Sequence, residues 1–227
     1  MKNILVARMY FTFTKNLRNR MKVAVIQASS QSSKNQLIYD SVKEFAKGAE
    51  VLNFGCFPDE EEKYSYIEIS VLAGLLLLTE AVDFVVTGCS SGQGMMLACN
   101  SIPGVICGYA PSPKDAYLFA QINNGNAVSL PLGEEYTYGG EENLRRTIEA
   151  LFSEPFGQGW PKPEAERKKA DTLLLKELRS KSQIQADEFF VKLDDKLRQK
   201  IMTKKNVIDY ITTMEEEKWK RKILEIM

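Results

Sequence analysis

The residues with the clearest chemical potential lie in one short segment, Val85-Val86-Thr87-Gly88-Cys89-Ser90-Ser91-Gly92-Gln93-Gly94-Met95. An apolar run ends at Gly88, a turn of small residues follows, and a helical pattern begins near Gly92. Glycines let the backbone adopt left-handed conformations and approach a ligand closely. The free N–H groups at a helix start, together with the helix dipole, favour an anion there. A phosphate or a developing enediolate would suit such a place equally. A cysteine beside that positive end is favoured as thiolate, and a thiolate so placed can take a proton from a carbon next to a carbonyl. Cys89 and Ser91 are therefore the candidate catalytic residues, and Ser90, Gly92, Gln93 and Gly94 candidate substrate contacts. The competing reading is that these small residues serve packing alone. Cys99 and Cys107 fall inside expected elements and read as buried hydrophobes.

Composition narrows the chemistry. The 227 residues include no histidine, which removes the commonest general base and zinc ligand. The four cysteines form no C-x-x-C pair, so neither a metal site nor a disulfide framework is expected, and reduced thiols in the cytoplasm are the simpler reading. Thirty basic side chains balance thirty acidic ones, which argues against nucleic acid or an anionic membrane as partner. The apolar stretch Val71–Leu78 is far shorter than the roughly 20 residues a bilayer span needs.

The elements that must position the turn follow from alternating patterns. Strand-like runs at Val23–Gln27, Val51–Phe54, Asp83–Thr87, Val105–Gly108 and Asn126–Pro131 are separated by helical runs at Lys34–Lys47, Tyr66–Thr79, Gly92–Asn100, Lys114–Asn123 and Glu141–Phe152. This order predicts an α/β fold, a five-stranded parallel sheet with helices on both faces. The wholly apolar Phe84-Val85-Val86 suits a strand buried on both sides. In such sheets ligands bind at the carboxyl ends of strands, beside a topological switch point, which singles out the loops after strands one, three and four.

Three regions are expected. Residues 1–20 carry five basic residues and no acid, and read as a leader, disordered or mis-annotated, before a working start at Met21. Residues 21–160 form the α/β domain, closed by the linker-like Gly157–Pro163. Residues 161–227 read as a helical extension that caps the domain or a neighbouring subunit, with apolar faces at Phe190, Leu193, Leu197 and Ile201 and at Ile208, Ile211, Trp219 and Ile223. The acidic-then-basic run Glu215–Lys222 supports a helix through i,i+4 pairs.

From Cys89 to Pro131 the chain resembles the ribose-5-phosphate isomerase type B and galactose-6-phosphate isomerase family. The family's turn reads C-G-T-G-x-G-M, followed by x-x-A-x-N, P-G and H-N-D-A-N. Here Cys89, Gly92, Gly94, Met95, Ala98, Asn100, Pro103, Gly104, Asn123 and Asn126 stand in the same register without a gap. The start Met21-Lys22-Val23-Ala24-Val25 also resembles the family's first strand, so the likeness covers about residues 21–160. It implies a Rossmann-like three-layer αβα fold, a homodimer or homotetramer with a site shared between subunits, and no cofactor or metal. It also implies that the cysteine moves a proton between C1 and C2 of a sugar or sugar phosphate, and that Asn123 and Asn126 line the site. The chain departs from the pattern at Ala28 and Ser29 (Asp-His in the family), at Pro111 or Ile122 (the ring-opening His), at Ile106 (an Arg), and at Ser90 and Ser91 (Gly and Thr). The stretch Gln121-Ile122-Asn123-Asn124-Gly125-Asn126-Ala127 resembles a divergent branch of sugar-phosphate-isomerase-like proteins.

Further polar candidates are Ser29, Ser30 and Gln31 after strand one, Tyr64 and Tyr66 before the long helix, and Asp115. Each has an ordinary alternative: helix caps for the serines, core aromatics for the tyrosines, and a first-turn acid for Asp115. The expected activity is an aldose–ketose isomerase working through an enediolate. The alternative is a non-catalytic sugar or sugar-phosphate binding protein that keeps the fold and the anion-binding turn.

Overall fold

The structure, a computed structural model, describes residues 20–134 and 140–213. Almost all of the basic leader, and the run through Trp219 and Ile223, lie outside the described residues. Five strands, β1 (Lys22–Ile26), β2 (Glu50–Gly55), β3 (Phe84–Cys89), β4 (Cys107–Tyr109) and β5 (Ala127–Pro131), form one parallel sheet in the order β2-β1-β3-β5-β4. The chain winds from β1 to β2 on one side and then returns to place β3 on the other side of β1. That reversal is the topological switch point, and Cys89 ends β3 there.

Both faces of the sheet are covered, as expected from the apolar strands. On β3, Phe84 and Val86 belong to one core cluster, with α1 (Asn35–Phe45), α4 (Pro113–Leu118) and α5 (Gly140–Leu151). Val85 and Cys89 belong to the other, with α2 (Tyr66–Leu78) and α3 (Gln93–Ser101). The alternation is the two-residue period of a strand buried on both sides.

Helix α2 explains the C-terminal helices. Ser65 and Glu68 close a capping box at its start, and its residues from Ile69 to Leu76 are all buried. A helix apolar all round must be covered on its outer side as well. After α6 (Ala165–Ser182) and α7 (Ala186–Val191), helices α8 (Asp195–Met202) and α9 (Lys205–Thr213) pack against α2. Phe190, Ile201, Val207, Ile208 and Ile211 thereby join its core cluster. Each such large side chain, fully buried, stabilises by roughly 1.5–3 kcal/mol.

Three local expectations are corrected. The fourth strand begins at Cys107, not Val105. The Ile106 N–H instead donates to Asn126 Oδ1 at 2.8 Å and the Val105 N–H to the Ile102 carbonyl, so both residues are spent in a turn. The run Lys114–Asn123 is not one α-helix: after Leu118 it widens into a π turn over Phe119–Asn123, closed by the Asn124 N–H on the Phe119 carbonyl. The stripe Phe190–Ile201 spans two helices, because the Asp194 side chain accepts from the Lys196 and Leu197 amides and starts α8 afresh. The Gly157 and Gly159 amides are bonded to the Ala120 and Gln121 carbonyls, which ties the segment after α5 to the π turn.

Candidate active site

Gly92 determines the geometry of the turn after β3. It is the N-cap of α3 in the left-handed conformation, with φ +75. A side chain there would stand 2.8 Å from the Pro131 nitrogen, 2.8 Å from the Tyr109 ring and 2.9 Å from the Leu130 carbonyl carbon. The turn is therefore pressed against β5. The buried Ser129 hydroxyl donates to the Gly92 carbonyl at 2.6 Å, and the Leu132 and Gly133 amides donate to the Ser90 carbonyl. Sequence reasoning missed Ser129, although a lone hydroxyl within Ala127-Val128-Ser129-Leu130 was a usable signal.

The start of α3 carries no side-chain cap, and its first intrahelical bond runs from the Met96 amide to the Gly92 carbonyl. The amides of the first turn thus lack helical acceptors, as at any helix start, and among the described residues only Gln93 shows a contact, a long one of 3.4 Å to Ser91 Oγ. Gly94 lies under the half-exposed Tyr66 ring, 3.5 Å from where a side chain would begin. Ser90 Oγ accepts from Gln31 Nε2 at 2.9 Å, which ties the loop after β1 to the turn. Backbone bonding closes the same seam, from the Ala28 N–H to the Gly88 carbonyl.

Cys89 itself is 8% exposed and shares the core cluster that includes Ala28, Cys56, Tyr64 and Met95. Its thiol lies at the end of β3 on the α2–α3 face. A cleft of about 320 Å³ lies on the other face, lined by Lys34, Leu37, Leu132, Glu134, Glu141 and Leu144. Among its described lining residues, Leu132 touches the turn: its amide donates to the Cys89 and Ser90 carbonyls.

Ser90, Ser91, Gly92, Gln93 and Gly94 follow Cys89 directly, and the Gln31–Ser90 and Ala28–Gly88 bonds bring the loop that carries Ser29 against this turn. Ser29 donates its N–H to the Tyr64 carbonyl, and its hydroxyl accepts the Tyr64 N–H at 2.8 Å. It also hydrogen-bonds the Cys56 thiol, which burial nevertheless pushes up from its usual range near 9.0. Burial likewise raises the Tyr64 phenol. Ser30 is exposed in the short turn Ser29–Lys34. Asp115 is exposed and shares a cap with Ser112 at the start of α4.

Asn123 and Asn126 are not brought to Cys89 within this chain. Pro131 pairs with Cys89 and Ala127 with Val85, so Asn126, five residues before Pro131, lies at the far end of the sheet, roughly 16–17 Å away along the strand. Its side chain is committed there, accepting from the Ile106 amide and donating to the Gly104 carbonyl at 3.0 Å. Asn123 is exposed at the end of the π turn. Among the described residues no cluster of His, Cys, Asp and Glu could hold a metal, and no helix is long and apolar enough to cross a membrane.

A 4-deoxy-L-threo-5-hexosulose-uronate ketol-isomerase, solved with a tartrate, is 38% identical over 90% of this chain and 96% of its own, with a TM-score of 0.83. A ribose-5-phosphate isomerase from Vibrio parahaemolyticus is 32% identical over 92% of this chain and 100% of its own, with a TM-score of 0.84. The type B ribose 5-phosphate isomerase from Trypanosoma cruzi, 23% identical over 70% of this chain and 99% of its own at a TM-score of 0.59, shares the fold. Comparison with curated proteins finds no match. The Ribose/Galactose Isomerase family model matches residues 23–168, well over half the chain, and the chain therefore belongs to the ribose/galactose isomerase family.

Proposed function

We propose that this chain interconverts an aldose and a ketose, with Cys89 carrying the proton and the start of α3 holding the negative charge. The supporting observation is the left-handed Gly92, which follows Cys89 at the switch point and leaves the first amides of α3 without a side-chain cap. The Cys89 thiolate takes the proton from the hydroxyl-bearing carbon next to the carbonyl, giving an enediolate. The uncapped amides stabilise that charge, where donors fixed in advance act most strongly. The thiol returns the proton to the neighbouring carbon, while the Ser91 hydroxyl relays a proton between the two oxygens. No net oxidant is consumed: one carbon is oxidised as its neighbour is reduced.

Two of the relatives are a hexosulose-uronate ketol-isomerase and a ribose-5-phosphate isomerase. Both carry an anionic group, so a sugar acid or sugar phosphate is the proposed substrate class. Asn123 enters this reading as an exposed group offered to the site of a second copy, in a homodimer or homotetramer. The test is turnover of a panel of uronates and pentose and hexose phosphates by the wild type and Cys89→Ala. Turnover confined to the wild type supports the assignment; equal turnover by both discards Cys89 as the base.

One observation favours a second reading, binding without chemistry. Cys89 keeps only 8% of its surface accessible. Thermal shifts with these ligands, without exchange of carbon-bound hydrogen, would support it.

A further inference from the structure

We infer that the corner joining α8 to α9, residues 200–206, positions the candidate site from behind, with Lys204 as its positioning residue. The role assigned to the site rests on the isomerase reading above.

Lys204 is 3% exposed, an unusual place for an ammonium group. Its Nζ meets Glu60 Oε1 at 2.5 Å, in the loop between β2 and α2. Glu60 Oε2 is buried with no partner of its own, so the carboxylate depends on this lysine. Removing the lysine leaves a partly buried carboxylate without its counter-charge. Three further bonds run from the corner to the same region. Thr203 Oγ1 lies 2.9 Å from the Tyr64 hydroxyl, Lys200 pairs with Glu62, and Asn206 donates to the Phe54 carbonyl at 3.1 Å. Both lysines also stand over the Tyr64 ring, at 4.9 and 5.4 Å from its centre.

What the corner holds is the loop that shapes the site. The Tyr64 backbone makes two bonds to Ser29, beside the switch point. The next residues are the Ser65 cap and Tyr66, whose ring covers Gly94. Displacing the loop therefore moves Ser29 and the Tyr66 ring over Gly94 together, although among the described residues no hydrogen bond joins the corner to the turn directly.

The test uses the full chain, with Lys204→Met, Lys204→Arg and the milder Thr203→Val. Each is treated with iodoacetamide, and labelling of the four thiols is followed by peptide mass spectrometry. Cys56, 0% exposed at the root of the loop, reports the latch; Cys99, 0% exposed in α3, reports general loosening. Lys204→Met should label Cys56 about ten-fold faster with Cys99 unchanged, Thr203→Val about three-fold faster, and Lys204→Arg near the wild-type rate. Unchanged Cys56 labelling, or Cys56 and Cys99 rising together, overturns the latch. On a sugar that the wild type turns over, Lys204→Met should raise KM about ten-fold and move kcat less than about three-fold. Faster Cys56 labelling with an unmoved KM overturns the positioning role. A wild type that turns over no sugar refutes the isomerase reading and with it the role assigned to the corner, while labelling still decides the latch.

Discussion

Replacing Gly92 by alanine tests whether the turn is held as described. At φ +75 an L-residue carries a conformational cost of about 1–2 kcal/mol. The added methyl would also stand 2.8 Å from the Pro131 nitrogen and 2.9 Å from the Leu130 carbonyl carbon, both backbone atoms of a central strand. Neither can swing away as a side chain could, and overpacking of this kind costs about 1–3 kcal/mol more. The expected loss is about 2–5 kcal/mol, read by urea unfolding with an unchanged m-value. In a chain of this size it lowers Tm by roughly 4–20 °C, since each kcal/mol moves it about 2–4 °C. Gly94→Ala, two residues on, is the control. No positive φ is recorded there, and its methyl would meet only the Tyr66 ring at 3.5 Å, ordinary contact. It should stay within about 1 kcal/mol of wild type. Equal losses at the two positions, or a Gly92→Ala loss below about 1 kcal/mol, would refute the reasoning.

Cys89→Ser should fold normally and lose about 10²–10⁴-fold in kcat, the range general-base catalysis supplies, measured on whichever sugar the wild type accepts. Asn126→Ala should cost about 1–3 kcal/mol by chemical denaturation, because it abandons the Ile106 amide and the Gly104 carbonyl at the entry to β4. Asn123→Ala, at an exposed position, should stay within about 0.5 kcal/mol of wild type while lowering kcat/KM. Stability should fall as pH rises above about 9, with Cys56 as one source. Its folded thiol is raised above the usual 9.0 by burial, so the unfolded chain loses that proton first and binds fewer protons. The slope is at most about 1.4 kcal/mol per pH unit for this group, and Cys56→Ala should remove that part of it.

The layer architecture was legible because each strand carries its own apolar run and each helix its own period. The position of Cys89 was legible in outline: Phe84-Val85-Val86 announces a buried strand, but the strand runs two residues past Thr87 and takes in Gly88 and Cys89, so the thiol ends the strand and does not begin the turn. The positions of Asn123 and Asn126 were not. Their register against the family motif is a fact about sequence order, whereas strand direction puts Asn126 at the amino end of β5 and Cys89 at the carboxyl end of β3. The start of β4 was hidden because Val105 and Ile106 have strand propensity, and a distant side chain, Asn126, claims the Ile106 amide. Nor could local pattern reveal Lys204 against Glu60. The two are 144 residues apart, and each looks like one more charge in a charged stretch.

The most direct measurement follows hydrogen at the reacting carbons. The wild type and Cys89→Ala are incubated in D₂O with the sugar that gives the largest thermal shift, and deuterium at C1 and C2 is read by NMR. Wash-in at the exchanging carbon, catalysed by the wild type and abolished in the variant, is the expected result. Wash-in at the same rate with the thiol gone, or interconversion without any solvent exchange in a variant that still turns over, would contradict the assignment of Cys89 as the group that moves the proton.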